Sequence, residues 1–210
     1  MNTMRKFSVL LLLVVGSTVS KAQQSGTESL FLNVGLTSTG LSSELGAATS
    51  NARVFDGDQG GGLTLKAGYG FSPLFTLYAG FNISGMERDG TDIPFWKEDD
   101  EYALTMFELG GRFNFREANH KLRPYAEVAL TSTAAIFDDR PKTSAKGGAF
   151  SFGGGAQYFL SNVFALDAGL ILSPGRFSEI VFIDNDVDVD DDGGFFATRF
   201  SVGLTVYPFQ

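Results

Sequence analysis

The chain has 210 residues, 16 Lys+Arg against 24 Asp+Glu, and a formal net charge of −8, so it is neither a basic nucleic-acid binder nor a large multidomain assembly. Its 43% hydrophobic content is ordinary for a folded chain, but 21 Phe and 26 Gly are many, and they point to β-structure. There is no Cys and a single His, which excludes disulfides, a thiol nucleophile and Cys-ligated metal, and leaves His120 as the one imidazole for general-base chemistry.

The N-terminus reads as a secretory signal over residues 1–22. Arg5 and Lys6 form the positive region, Phe7 to Val15 the apolar one, and Ser20-Lys21-Ala22 the small-residue cleavage site. The apolar run is too short for a spanning helix, which needs ~20 residues. Removal of Arg5, Lys6 and Lys21 takes the net charge from −8 to −11. A short segment, 23–27, then leads into a single domain over 28–210.

From there the sequence alternates with period two, the signature of strands with two different faces. Leu30, Leu32, Val34 and Leu36 share the apolar face of a first strand at 28–37, and a polar stretch, 38–60, follows. A second strand, 61–71, sets Leu63, Leu65, Ala67 and Tyr69 against Thr64, Lys66 and Gly68. After a turn at Ser72-Pro73, a third strand, 74–85, puts Phe75, Leu77, Ala79, Phe81 and Ile83 on one face. The charged loop 86–101 carries the only Trp, Trp96, which with Phe95 and Ile93 reads either as an adhesive tip or as an interfacial anchor.

A fourth strand, 102–115, has Phe107, Leu109 and Phe113 opposite Glu108, Gly110 and Arg112. The short turn 116–121 holds His120. A fifth strand, 122–137, places Val128 and Leu130 opposite Tyr125, Glu127 and Thr131. Past the loop 138–147, a sixth strand, 148–160, turns at Ser161-Asn162 into a seventh, 163–173, with Leu166 and Leu170 opposite Asp167. The acidic stretch 174–194 follows, although VFID and VDVD within it still alternate. The last strand, from Phe195, has Phe196, Phe200, Val202, Leu204 and Val206 on one face and Arg199 on the other.

Eight strands joined alternately by long and short connections describe an all-β fold, an eight-stranded antiparallel up-and-down transmembrane β-barrel. The four long connections hold 19 of the 24 acids and seven bases, a net of −12. The second faces carry Gly, Ser, Thr and Asn with about one charge per strand, which suits a narrow polar lumen and not a water-facing exterior. Closure also removes the sheet edges that lipid does not tolerate.

The segments RPYAEVAL (123–130), GGGAQYFLSNVFALDAGL (153–170) and RFSVGLTVYPF (199–209) resemble the outer-membrane β-barrel domain family, which includes the small OmpA/OmpX-type surface barrels of Gram-negative bacteria. The resemblance covers nearly all of 28–210. It implies the cell outer membrane, contact with outer-membrane lipid and lipopolysaccharide, and insertion by machinery that reads a terminal aromatic residue. Here Gln210 follows Phe209, a departure of one position.

Six charges are expected to form a lumenal network: Lys66, Glu108, Arg112, Glu127, Asp167 and Arg199, three of each sign. Arg199 should point toward Glu108, Glu127 or Asp167. An eight-stranded barrel is only wide enough for its side chains to fill it, which favours a paired plug over a pore. Asp188, Asp190, Asp192 and Gly193 fit the first half of a calcium loop, but Arg199 stands where the bidentate Glu belongs. A solvated acidic loop is the simpler reading, and calcium is the one cofactor the sequence suggests. The expected function is structural or surface interaction through acidic extracellular loops, by a monomer without catalysis, with an unidentified extracellular ligand and no nucleic acid. The alternative is a narrow channel or small-solute transporter.

Overall fold

Alternation of side-chain character becomes alternation of environment in a computed structural model that describes residues 28–43, 55–88, 101–115, 120–137, 144–182, 185–188 and 193–209. Among the described residues nine strands form: β1 (Leu30–Ser43), β2 (Asp56–Gly70), β3 (Phe75–Glu87), β4 (Glu101–Asn114), β5 (Leu122–Phe137), β6 (Ser144–Phe159), β7 (Phe164–Phe182), β8 (Asn185–Asp188) and β9 (Gly194–Val206). Each of β1–β7 pairs antiparallel with its successor, β9 pairs with β7, and β9 pairs back on β1, with Leu32 opposite Val206 and Leu36 opposite Val202. The barrel therefore has eight strands, β1–β7 and β9, while β8 is a short flap paired to the end of β7.

Following paired residues once around gives Leu30, Tyr69, Leu77, Gly111, Val128, Phe152, Leu172 and Thr198, and the next partner is Gly40. The stagger is ten residues (40 − 30), which tilts the strands roughly 40° to the barrel axis. Two turns at one end share a device. Ser72 Oγ accepts from the Phe75 amide at 3.1 Å, and Ser161 Oγ accepts from the Val163 and Phe164 amides at 3.2 and 3.1 Å. In each, a serine hydroxyl fixes the turn locally.

The outward face is apolar from Leu30 to Leu36, from Leu63 to Tyr69 and from Phe107 to Phe113, with Leu36 and Leu130 about 70% and 71% exposed. Such a face belongs in lipid. At the turn end it finishes in an aromatic rim that includes Tyr69, Phe71, Phe75, Phe113, Phe115 and Tyr158.

Two expectations need correction. Residues 38–60 are not one loop, since β1 runs on to Ser43 and β2 begins at Asp56. Likewise 144–147 are strand, while β7 runs on to Phe182, the continuation that the alternation of VFID suggests. These extensions rise beyond the apolar band, where the outward residues no longer need to be apolar, so the signal that marks strands in lipid fades while the backbone ladder continues. Gly60 and Gly62 belong to this ladder: a Cβ on either would collide with the backbone carbonyl of Gly85 or Ile83. The segments 1–22 and 23–27, the loop tip with Ile93, Phe95 and Trp96, and Asp190 and Asp192 lie outside the described residues.

Candidate functional site: the lumen

The inward face fills the barrel in layers. At the turn end Tyr207 packs against Phe159 and Phe31, with ring centroids 5.6 and 6.1 Å apart. The Arg123 guanidinium lies over Phe159 at 4.3 Å, and its Nε donates to the His120 carbonyl at 3.3 Å. Tyr207 donates to Gln157 Oε1 at 2.9 Å, and Gln157 Nε2 donates to Asp167 at 2.8 Å. His120 itself is exposed at the turn end.

Arg112 is the hub of the next layer. Its Nε and Nη2 both donate to Glu127 Oε2, at 3.2 and 3.1 Å, and its Nη1 donates to Asp167 Oδ2 at 3.0 Å. Lys66 Nζ completes Glu127 at 2.6 Å, and Tyr125 completes Asp167 with an O–H···O bond of 2.7 Å. The Tyr125 ring also lies 3.8 Å from the Arg112 guanidinium. This cation thus meets two carboxylates and a π-face, the partners that a buried guanidinium requires. Tyr125 fits because glycines face it: a Cβ at Gly155 or Gly169 would lie 2.6 Å from its hydroxyl oxygen.

Above this layer Arg199 pairs with Glu108 across the lumen. Hydroxyls surround the pair. Thr131, Ser151 and Ser173 form a chain with links of 2.6 and 2.7 Å, and Thr39 meets Ser84 at 2.9 Å. All six sequence-derived charges are buried, and they form two groups: Lys66, Glu127, Arg112 and Asp167 in one, Glu108 and Arg199 in the other.

At the loop end the lumen turns apolar. Phe55 contacts Tyr102, Phe137 and Phe177 at centroid distances of 5.2, 5.9 and 5.4 Å, and Phe177 contacts Phe195 at 4.6 Å. Leu41, Met86, Leu104 and Met106 complete the cluster. Tyr102 donates to Asp58 Oδ2 at 2.8 Å. Burial, with Asp58 beside it, pushes the Tyr102 hydroxyl well above the usual phenol range, so it remains a donor. Sequence reading missed this aromatic plug. Its signal was a phase switch: in β4 the apolar residues Tyr102, Leu104 and Met106 are even-numbered, while Phe107, Leu109 and Phe113 are odd-numbered.

Of the candidate calcium ligands only the backbone of Asp188 is described, paired with Glu179 in the β7–β8 ladder. Among the described residues no group of three or more His, Cys, Asp or Glu is placed to hold a metal ion.

A family model described as outer membrane protein beta-barrel domain matches residues 8–207. No curated protein matches the sequence. Among solved structures the chain is similar to Neisserial surface protein A, with a TM-score of 0.60 and 13% identity over 85% of this chain and 96% of that one. It is similar to the outer membrane protein OprG from Pseudomonas aeruginosa, with a TM-score of 0.57 and 12% identity over 88% and 98%. It is also similar to Ail, the attachment invasion locus protein of Yersinia pestis, with a TM-score of 0.51 and 14% identity over 85% and 98%. At these identities the likeness is one of fold.

Proposed function

This chain belongs to the outer membrane protein β-barrel domain family and resides in the cell outer membrane, and from that premise we propose that it acts as a sealed barrel with a structural and surface-interaction role. The observation that carries the reading is the filled lumen. An ion-paired network occupies the lipid-embedded section and an aromatic cluster closes the loop end. A channel would need a continuous water path past both. Catalysis is disfavoured for a related reason: the lumenal carboxylates Glu108, Glu127 and Asp167 are all held in ion pairs, and His120 stands exposed at a turn.

The long connections face the outside of the cell and the short turns the periplasm, the arrangement general to outer-membrane barrels. Partners in this reading are outer-membrane lipid and lipopolysaccharide, the insertion machinery, and an extracellular ligand met by the acidic loops. The protein acts as a monomer. Planar-bilayer recording of the refolded chain tests the seal. The expected result is no sustained conductance; stable, frequent unitary currents would overturn it.

A further inference from the structure

Above the apolar band, two like charges face each other on the outer wall. Glu87 on β3 stands directly opposite Glu101 on β4, and both are exposed. Like charges in that position weaken a sheet. Neither carboxylate meets a cation in an ion pair among the described residues. Nor does the joining sequence, 88–100, supply a surplus of cations, with five acids against Arg88 and Lys97. On β6, Lys146 contacts Glu179 of β7, one strand farther round the barrel.

One row nearer the lipid the wall caves in. Gly85, Ala103 and Ile136 are paired in a row across β3, β4 and β5, so the two small residues leave a dip beside the half-exposed isoleucine. The groove over these three residues and the two glutamates has a volume of about 530 Å³. A Cβ on Gly85 would meet no atom within 4 Å, so the dip is open at its centre. Below it, Ile83 and Phe107 begin the lipid-facing band. The groove spans two strand spacings, ~10 Å, and the carboxylates stand two residues, ~7 Å, above its floor.

An apolar dip with two carboxylates on its upper rim selects a cation joined to a bulky apolar group. The rim repels anionic headgroups, and a lone ammonium would leave the dip unfilled. In an extended chain, side chains two positions apart share one face at ~7 Å, the same spacing as dip and rim. We infer that this groove docks an extended cationic segment of an extracellular polypeptide, with a bulky apolar side chain over Gly85 and Ala103 and a lysine or arginine between Glu87 and Glu101. The bound cation relieves the repulsion between the two carboxylates. The inference deepens the surface-interaction reading and rests on it, since the groove must face the outside of the cell.

The test uses the full mature chain in phosphatidylcholine nanodiscs, with folding checked by heat-modifiable electrophoretic mobility. Binding of dye-labelled peptides is read by fluorescence anisotropy, with empty nanodiscs as the blank. The peptide KTLTKTL should bind more tightly than KTGTKTG, which keeps the charge but lacks the apolar side chains, and than ETLTETL, which reverses the charge. Gly85→Leu fills the dip, and its affinity for KTLTKTL should fall about tenfold, as expected for one leucine that can no longer be buried. E87Q/E101Q should lose affinity several-fold, while its urea midpoint stays level or rises because the repulsion is gone. A purely structural role for the pair would lower both. Lys146→Gln should bind as the parent does. If Gly85→Leu does not fold, Ile136→Ala replaces it, removes the wall of the dip and should also weaken binding. Equal binding of KTLTKTL and KTGTKTG, or unchanged affinity in the dip variant or in E87Q/E101Q, would overturn the groove and leave the acidic loops as the ligand surface. No binding of either cationic peptide to the parent would overturn the groove and count against the acidic loops as well.

Discussion

The same eight strands make two barrels of opposite sidedness, one above the other. In the lipid-embedded section Leu36, Leu109 and Leu130 face out while Lys66, Arg112 and Glu127 face in. In the collar Leu41, Leu104, Phe177 and Phe195 face in while Gln59, Glu87, Glu101 and Lys146 face out. The backbone ladder runs unbroken from one to the other through β4 and β5, from Asn114–Tyr125 up to Tyr102–Phe137. Sidedness is therefore dictated by the solvent outside, not by the strand. Where lipid surrounds the wall, apolar residues go out and the lumen takes paired charges. Where water surrounds it, the lumen takes the hydrophobic core that any soluble barrel would have.

The two interiors should fail differently. In the lower one, Arg112→Ala strands Asp167 without a cation and leaves Glu127 only Lys66, and breaking a buried pair of this kind costs about 3–5 kcal/mol. Urea unfolding in lipid vesicles would measure it as a lowered midpoint. Arg112→Lys should recover only part of the loss, because an ammonium cannot make the two-pronged contact with Glu127 and also reach Asp167. In the upper interior, Leu104→Ala should cost about 2–5 kcal/mol through lost burial and the cavity left among Tyr102, Met106 and Phe137. If Leu104→Ala leaves the midpoint unchanged while Arg112→Ala lowers it, the collar core is not a stabilising element.

Much of the lower barrel was legible from the chain, and the reason is local. In β9 the residues Phe200, Val202 and Leu204 share one parity and Arg199 the other, and two neighbouring environments suffice to separate them. The pairing of charges was less legible. Arg112 stands directly opposite Glu127 in the β4–β5 register, so that contact follows from one hairpin. Arg199 and Glu108 lie on β9 and β4, across the lumen from each other, and only closure with a stagger of ten brings them together. The collar was not legible because its strands were sought by outward apolar residues. Segments such as 38–43 and 56–60 carry none and read as loop, while Phe55 and Phe177 passed as loop residues. A reading that allowed the apolar parity to switch along a strand, as it does after Met106 in β4 and between Ala197 and Phe200 in β9, would have found the plug.

The boundary between the two barrels can be located along a single strand. Gln59, Leu63 and Leu65 are all on the outward face of β2, so one substitution can be carried past the boundary without changing strand or side. Leu65→Arg puts a charge well inside the apolar band and should cost about 2–4 kcal/mol. Leu63→Arg lies nearer the rim, where the side chain can reach water, and should cost about 0–1 kcal/mol. Gln59→Arg is in the collar, already faces water, and should stay within about 0.5 kcal/mol of the parent. Vesicle-unfolding midpoints should therefore fall from Gln59→Arg through Leu63→Arg to Leu65→Arg. A cost at Gln59 as large as at Leu65 would place the collar in lipid, and its apolar interior would then need another explanation.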